Sequence, residues 1–237
     1  MTPPLRGVDR PEAGRRGAKQ LGSMADGPRR LGYPLQMDRH AWDERYREKE
    51  LLWTAEPNRF VVEVVSGLPP GTALDLAGGE GRNAVWLAEQ GWRVTVLDWS
   101  KVALEKGRTL ADARGVAAEV AFMEADLVDW EPAKASADLV LVVYLQIPSP
   151  HRERVWRNAA AAVCDGGRLV VIGHDSSNLT DGYGGPQDPA VLYTAEEVAA
   201  VVGGHLAVER SERVERPVET EDGMRVALDN VTVGVRS

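Results

Sequence analysis

The chain has 237 residues, 43% of them hydrophobic, with a single cysteine and a net charge of −8; that length supports one well-buried domain and falls short of two. Seven basic and three acidic side chains give residues 1–36 a charge of +4, so the rest of the chain carries −12. A body this acidic disfavours nucleic-acid partners, whose binding depends on cations that displace counterions from phosphates, and no apolar run reaches the length of a membrane span.

Cys164 has no second cysteine to pair with, and His40, His151, His174 and His205 match no metal-ligand spacing. The N-terminus lacks the apolar core of a signal peptide. These features predict a cytoplasmic protein without a metal site and without nucleic-acid or membrane partners; a monomer or homodimer is the expected assembly, which no sequence feature narrows further.

Residues 1–36 are rich in Pro, Gly and Arg without apolar periodicity, which predicts a disordered extension, with Met24 and Met37 as alternative starts. From Asp38 the pattern turns helical, with Trp42, Tyr46, Lys49 and Trp53 on one face until Glu56-Pro57-Asn58 interrupts it. Asn58 is placed to cap a second helix that presents Phe60, Val61, Val64, Val65 and Leu68 to a core, and Pro69-Pro70-Gly71 stops it.

Strand and helix then alternate with short turns, the pattern of a parallel sheet covered on both faces. Strands are predicted at 72–76, 93–97, 120–123, 138–144 and 168–173, with helices at 81–90, 101–114 and 151–163 and a turn at Asp165-Gly166-Gly167. A long loop, 175–192, leads to a helix at 194–202. Two last strands, 206–214 and 225–235, lie close enough to pair antiparallel. The expected architecture is α/β and Rossmann-like, a seven-stranded, mostly parallel sheet with an antiparallel terminal hairpin, forming one domain over residues 37–237.

The chemistry concentrates at the end of the first strand, in Leu74-Asp75-Leu76-Ala77-Gly78-Gly79-Glu80-Gly81-Arg82-Asn83. The portion Gly79-x-Gly81-x-x-Ala84 allows close backbone approach to any nucleotide. Asp75 would repel a pyrophosphate and attract a ligand carrying an ammonium and a sulfonium, which is S-adenosylmethionine. Asp98 ends the second strand, 19 residues after Gly79, where an acid can accept from both ribose hydroxyls. Beside it Trp99 offers a flat face to a base. Asp75, Asp98, Asp126 and Tyr144 all fall at predicted carboxyl ends of strands, the edge at which open α/β sheets bind ligands.

Asp75-Leu-Ala-Gly-Gly-Glu-Gly-Arg-Asn83, Leu97-Asp98-Trp99-Ser100, Ala125-Asp126-Leu127 and the Trp42-Asp43-Glu44-Arg45-Tyr46 opening resemble the class I S-adenosylmethionine-dependent methyltransferases. Among these the chain looks most like the small bacterial group related to tellurite-resistance and thiopurine methyltransferases. Where that family's pattern is acid-x-Gly-x-Gly-x-Gly, the first glycine is Ala77 here, which any positive φ would strain. The resemblance implies methyl transfer to a small molecule, with Asp75, Ala77, Gly79, Gly81, Asp98, Trp99, Asp126, Leu127 and Val143 around the cofactor. Within that set Asp126 would meet the adenine amino group and Leu127 would supply a backbone N–H.

His174 and Asp175 follow the fifth strand at the same edge. With Tyr144 at the end of the fourth, His174 is the candidate for acceptor chemistry, as a general base or as a loop-shaping hydrogen bonder. Trp42, Tyr46, Trp53 and Gly184–Pro189 are expected to surround the acceptor, with the N-terminal helix as a lid. Two alternatives stay open: an NAD(P)-dependent Rossmann oxidoreductase, which explains the glycines and Asp98 but not Asp75, and a non-catalytic S-adenosylmethionine-binding protein.

Overall fold

A computed structural model describes residues 38–237; the predicted extension 1–36 and the alternative starts Met24 and Met37 lie outside the described residues. The chain forms a seven-stranded sheet in the order β3-β2-β1-β4-β5-β7-β6. Its strands are β1 (Thr72–Leu76), β2 (Arg93–Asp98), β3 (Val120–Glu124), β4 (Ala137–Val143), β5 (Val163–His174), β6 (Ala207–Thr220) and β7 (Gly223–Val235). The first five run parallel, while β7 pairs antiparallel with both β5 and β6. Strand order reverses between β1 and β4, and a sheet wound both ways from such a point opens a crevice at its carboxyl edge.

Helices α1 (Arg39–Arg47), α2 (Arg59–Val65), α3 (Arg82–Glu89), α4 (Lys101–Ala113), α5 (His151–Ala162), α6 (Asn178–Asp181) and α7 (Ala195–Val202) complete the fold. Alternation along the strands sends Leu139 and Leu141 to one layer, where they meet Phe60, Leu87 and Leu104. Val140 and Val142 go to the other, against Val155, Trp156 and Val198. Both faces are therefore buried, as the near-continuous apolar reading of β4 requires. Among the described residues no helix is long and apolar enough to cross a membrane.

The expected strands and helices are present, the loop expected at 175–192 also contains α6 and a single 3-10 turn at Pro189–Val191, and the other departures have local causes. The helix expected from Asp38 to beyond Trp53 ends at Arg47. Beyond it, the N–H groups of Leu52 and Trp53 donate to the buried Glu80 carboxylate, and the Lys106 ammonium binds the carbonyls of Tyr46 and Lys49. These four backbone groups go to side-chain partners outside the helix.

Strand β5 begins at Val163, but its register jumps from Val163 to Arg168, so the expected turn at 165–167 survives as a bulge. Strand β3 stops at Glu124, leaving Asp126 two residues into the following turn rather than at the strand end. Strand β6 runs to Thr220 instead of Val214; its Arg/Glu-rich sequence carries no apolar alternation, and Pro217 is tolerated because β6 is an edge strand.

Ala77 adopts φ +55, in the left-handed region. A side chain there costs about 1–2 kcal/mol, part of which glycine returns through its greater freedom in the unfolded chain. Ala77→Gly is expected to raise stability by about 0.5–1 kcal/mol and leave cofactor affinity unchanged, read by denaturant melts and calorimetry; a destabilised variant would contradict the strain assigned to this turn.

Candidate active site

A cavity of about 620 Å³ opens at the carboxyl edge of the sheet, within the size range of small-molecule sites. Ala77, Gly79, Asp75, Asp98, Trp99, Asp126, Leu127, Val143, Tyr144 and His174 all line it. Of the residues singled out in sequence, Gly81 alone among the cofactor set is not on its wall. Gly81 instead occupies the N-cap position of α3 with φ +70, turning the chain into the helix while Phe122 closes the space beside it.

Asp75 is fully buried in β1, and apart from a weak approach of the Ala84 N–H neither carboxylate oxygen has a hydrogen-bond partner among the described residues. Burial pushes its pKa up to about 7, against the pull of the Arg82 charge and with Asp98 adding to the rise. A buried charge without partners is held at a cost of several kcal/mol unless a ligand answers it. Gly78 makes the close packing possible: a Cβ there would lie 2.9 Å from an Asp75 oxygen.

Asp98 is held differently. Its two oxygens accept from the N–H groups of Gly79 and Ser100, both at 2.9 Å, leaving lone pairs on each for further donors. Burial raises its pKa to about 6 although those backbone bonds oppose it. In the turn after β3, Asp126 Oδ1 accepts from the Val128 N–H at 2.9 Å. The backbone bonds of that turn use the N–H groups of Asp129 and Trp130 and leave that of Leu127 free.

At the other end of the cavity three side chains, from β5, from the residue after β4 and from β6, converge on one carboxylate of β7. Asp229, fully buried in β7, meets His174 Nδ1 at 3.0 Å and accepts from the Tyr144 hydroxyl at 2.7 Å and Arg216 Nε at 2.6 Å. Direct pairing of His174 with Asp229 across β5 and β7 sets the first contact. The Tyr144 and His174 rings stack with centroids 4.5 Å apart, and Tyr144 itself has φ +57 just beyond β4.

Burial alone would raise the Asp229 pKa, but hydrogen bonding and charge from His174, together with Arg216, outweigh it and hold it below its ordinary value. Burial and the Asp229 charge push the Tyr144 phenol up, so it remains a neutral donor.

The N-terminal segment covers the crevice. Trp42, Tyr46 and Trp53 line the cavity. Helix α1 is tied down by an Arg39–Glu124 ion pair and by Ser100 donating to Asp43, and Glu80 grips the backbone at Leu52 and Trp53. Tyr46 lies directly over the left-handed Gly79, where a Cβ would approach its hydroxyl to 2.6 Å. Of the expected acceptor loop 184–189, Gly184 and Gly185 reach the cavity.

Sequence reading did not place Arg82, Arg216 or Asp229 at the site, and it read Asn58 as a helix cap, which it is, without its place on the cavity wall. Arg82 and Asn58 follow recognisable turns: Asn58 caps α2 and receives its own support from Asn83 Oδ1, which accepts the Asn58 N–H at 2.8 Å. Arg216 and Asp229 carried no local signal, since only the long hairpin brings them to the site.

Residues 73–167 match the family model of a methyltransferase domain. No curated protein matches the chain by sequence. Among solved structures, the chain is similar to a protein studied for the conversion of a disulfide bond into a thioacetal group during echinomycin biosynthesis, with a TM-score of 0.66 and 20% identity over 84% of this chain and 92% of that one.

It is also similar to TehB from Haemophilus influenzae (TM-score 0.62, 15% identity, 84% of this chain and 67% of that one). A third similar structure is a SAM-dependent methyltransferase from Methanosarcina mazei (TM-score 0.58, 15% identity, 76% of this chain and 99% of that one). Residues 73–167 thus carry a methyltransferase domain, and the fold around them is the one shared with these solved structures.

Proposed function

We propose that the protein transfers the methyl group of S-adenosylmethionine to a small-molecule acceptor, with the cofactor over the β1–β3 side of the cavity and the acceptor over β4–β7. The observation that carries this reading is Asp75, a buried carboxylate on the cavity wall with no hydrogen bond to either oxygen beyond the weak approach of the Ala84 N–H. It fits the cofactor's ammonium. Arg82, also on the wall, has only a 3.4 Å contact to the Thr54 hydroxyl and fits the carboxylate of the same amino-acid head group.

The remaining lone pairs of Asp98 suit two ribose hydroxyls, the Trp99 face and Val143 suit the adenosine, and Asp126 with the free Leu127 N–H suits the adenine edge. When bound, the cofactor supplies the electrophilic methyl. The protein's part is alignment and dehydration, which supply most of the acceleration in a displacement of this kind. His174, with Nδ1 on Asp229, offers Nε2 for a proton from the acceptor, and Tyr144 supports it by stacking and by sharing Asp229. We place the protein in the cytoplasm as a monomer or homodimer of one catalytic domain, residues 37–237, with no nucleic-acid partner; its net charge of −8 and its single cysteine support that setting.

Melting curves with S-adenosylhomocysteine and with NAD test the cofactor. Ligand at about a hundred times its Kd adds about 2.7 kcal/mol of stability, so a rise of several degrees with S-adenosylhomocysteine and none with NAD is expected. Stabilisation by NAD alone would favour a Rossmann oxidoreductase.

A further inference from the structure

We propose that the acceptor is an aromatic hydroxy acid, its hydroxyl facing His174 and its carboxylate held by Arg216. The proposal rests on the methyltransferase reading above and gives that site a substrate class.

Arg216 carries the argument. It projects from β6 beyond the last β5–β7 pair, His174 with Asp229, so it overhangs the acceptor end of the cavity. Its Nε is committed to Asp229 at 2.6 Å and its guanidinium carbon lies 5.9 Å from the centre of the Tyr144 ring. These two contacts fix the plane of the guanidinium. The Tyr144 side chain also lies within hydrogen-bonding reach of the guanidinium, and no other group among the described residues bonds its two terminal nitrogens, so N–H groups remain for a ligand. An acceptor filling that space without oxygen atoms would strand those donors, at about 1–3 kcal/mol for each one dried. A carboxylate matches the planar pair of terminal nitrogens in a way that a hydroxyl or an ether does not.

The surrounding walls select the rest of the molecule. Pro217 and Val218 continue the arm beside Arg216, and Tyr183 and Trp53 line the same cavity. Flat apolar walls of this kind favour a ring. His174 selects the reacting atom. Because Nδ1 is taken by Asp229, the nitrogen able to accept a proton is Nε2. As the acceptor oxygen forms its bond to the methyl carbon and the carbon–sulfur bond breaks, the O–H proton passes to Nε2. The sulfonium leaves as a neutral thioether, and the imidazolium then returns its proton to water. An acceptor attacking through a lone pair with no proton to lose would leave the His174–Asp229 pair idle.

The test uses the full-length protein, methyl-labelled S-adenosylmethionine, and 2-, 3- and 4-hydroxybenzoate alongside their methyl esters. At least one acid is expected to be methylated on its hydroxyl with kcat/KM about tenfold or more above that of its ester, the value of one charged bidentate contact. In Arg216→Gln the ratio of acid to ester kcat/KM should fall to about one, a ratio that cancels any effect of the lost Asp229 pair on turnover itself.

Equal use of acid and ester, an acid preference that survives in Arg216→Gln, or transfer to none of the hydroxybenzoates would each overturn the proposal. Should Arg216→Gln fail to fold, the wild-type comparison of acid with ester decides alone. Titration with S-adenosylhomocysteine on the same sample separates the two levels of failure. Binding without transfer to these acceptors removes only the substrate class, whereas no binding removes the methyltransferase reading beneath it.

Discussion

Asp75→Asn is expected to weaken S-adenosylhomocysteine binding by about 10- to 150-fold, the loss of one or two charge-assisted hydrogen bonds worth about 1.5–3 kcal/mol. The same substitution should stabilise the ligand-free protein. Burial raises the Asp75 pKa from 3.8 to about 7. Between those values the folded protein holds the proton and the unfolded chain does not, so the stability contributed by this residue falls as pH rises through that window.

The displacement corresponds to at most about 4 kcal/mol at pH 8. Asparagine keeps the shape and removes the charge, but its amide remains unpartnered, so a gain of about 2 kcal/mol is the reasonable share. For a chain of this size that is about 4–8 °C in Tm. Site and scaffold thus pull in opposite directions at one residue.

Binding of an ammonium should also force Asp75 to ionise, so cofactor binding near pH 7 should release a proton. Affinity should climb with pH until the ligand's own amine deprotonates near 8. Calorimetry in two buffers of different ionisation enthalpy reads the proton directly. Wild-type affinity in Asp75→Asn together with no proton release would remove the role assigned to this carboxylate.

The second large effect is expected at Asp229. In Asp229→Asn the side-chain amide can donate to His174 Nδ1, which places the imidazole proton on Nε2 and leaves that nitrogen unable to act as a base. Turnover with a hydroxyl acceptor should fall by about 10²–10⁴, the range for loss of general base catalysis, with S-adenosylhomocysteine affinity unchanged.

Arg216 loses its counter-charge in the same variant, and breaking a buried pair costs about 3–5 kcal/mol; the Arg216 side chain is 27% exposed, so the lower end applies. The stability lost should itself depend on pH. Asp229 has a depressed pKa in the folded protein, so its contribution is present above the unfolded value near 3.8 and disappears as pH falls below it. Wild-type turnover in a folded Asp229→Asn would exclude His174 as the base.

The two residues differ in how far the sequence announced them. Asp75 stands at the end of an apolar strand and two residues before a run of small ones, so its position relative to the turn follows from local spacing. The same holds for Asp98, which closes β2. Asp126 was recognised through its tripeptide, yet it lies in a turn beyond β3, because strand ends depend on which neighbour remains to pair.

Arg216 lies 42 residues after His174 in a strand of Glu and Arg that reads as an exposed surface, and Asp229 lies 55 residues after it in a largely apolar strand. Nothing local marks them. Their meeting depends on the register of β5, β7 and β6, and a slip of one residue would turn Arg216 to the opposite face. The premature end of α1 was hidden for a related reason, since the groups that capture its backbone, Glu80 and Lys106, come from later turns of the chain.

The strand order also bears on how such an enzyme can diversify. Apart from Val143 at the end of β4, groups assigned to the cofactor occupy one flank of the sheet, from β3 to β1, and the acceptor cluster occupies the other, from β4 to β6, with Arg216 on the outermost strand. An edge strand has only one neighbour to satisfy, so β6 can exchange side chains facing the cavity with little penalty to the remaining ladder. New acceptors can therefore be explored on the periphery while the shared methyl donor keeps its fixed seat, and the long terminal hairpin becomes the part of this molecule on which selection for new substrates has the most freedom to act.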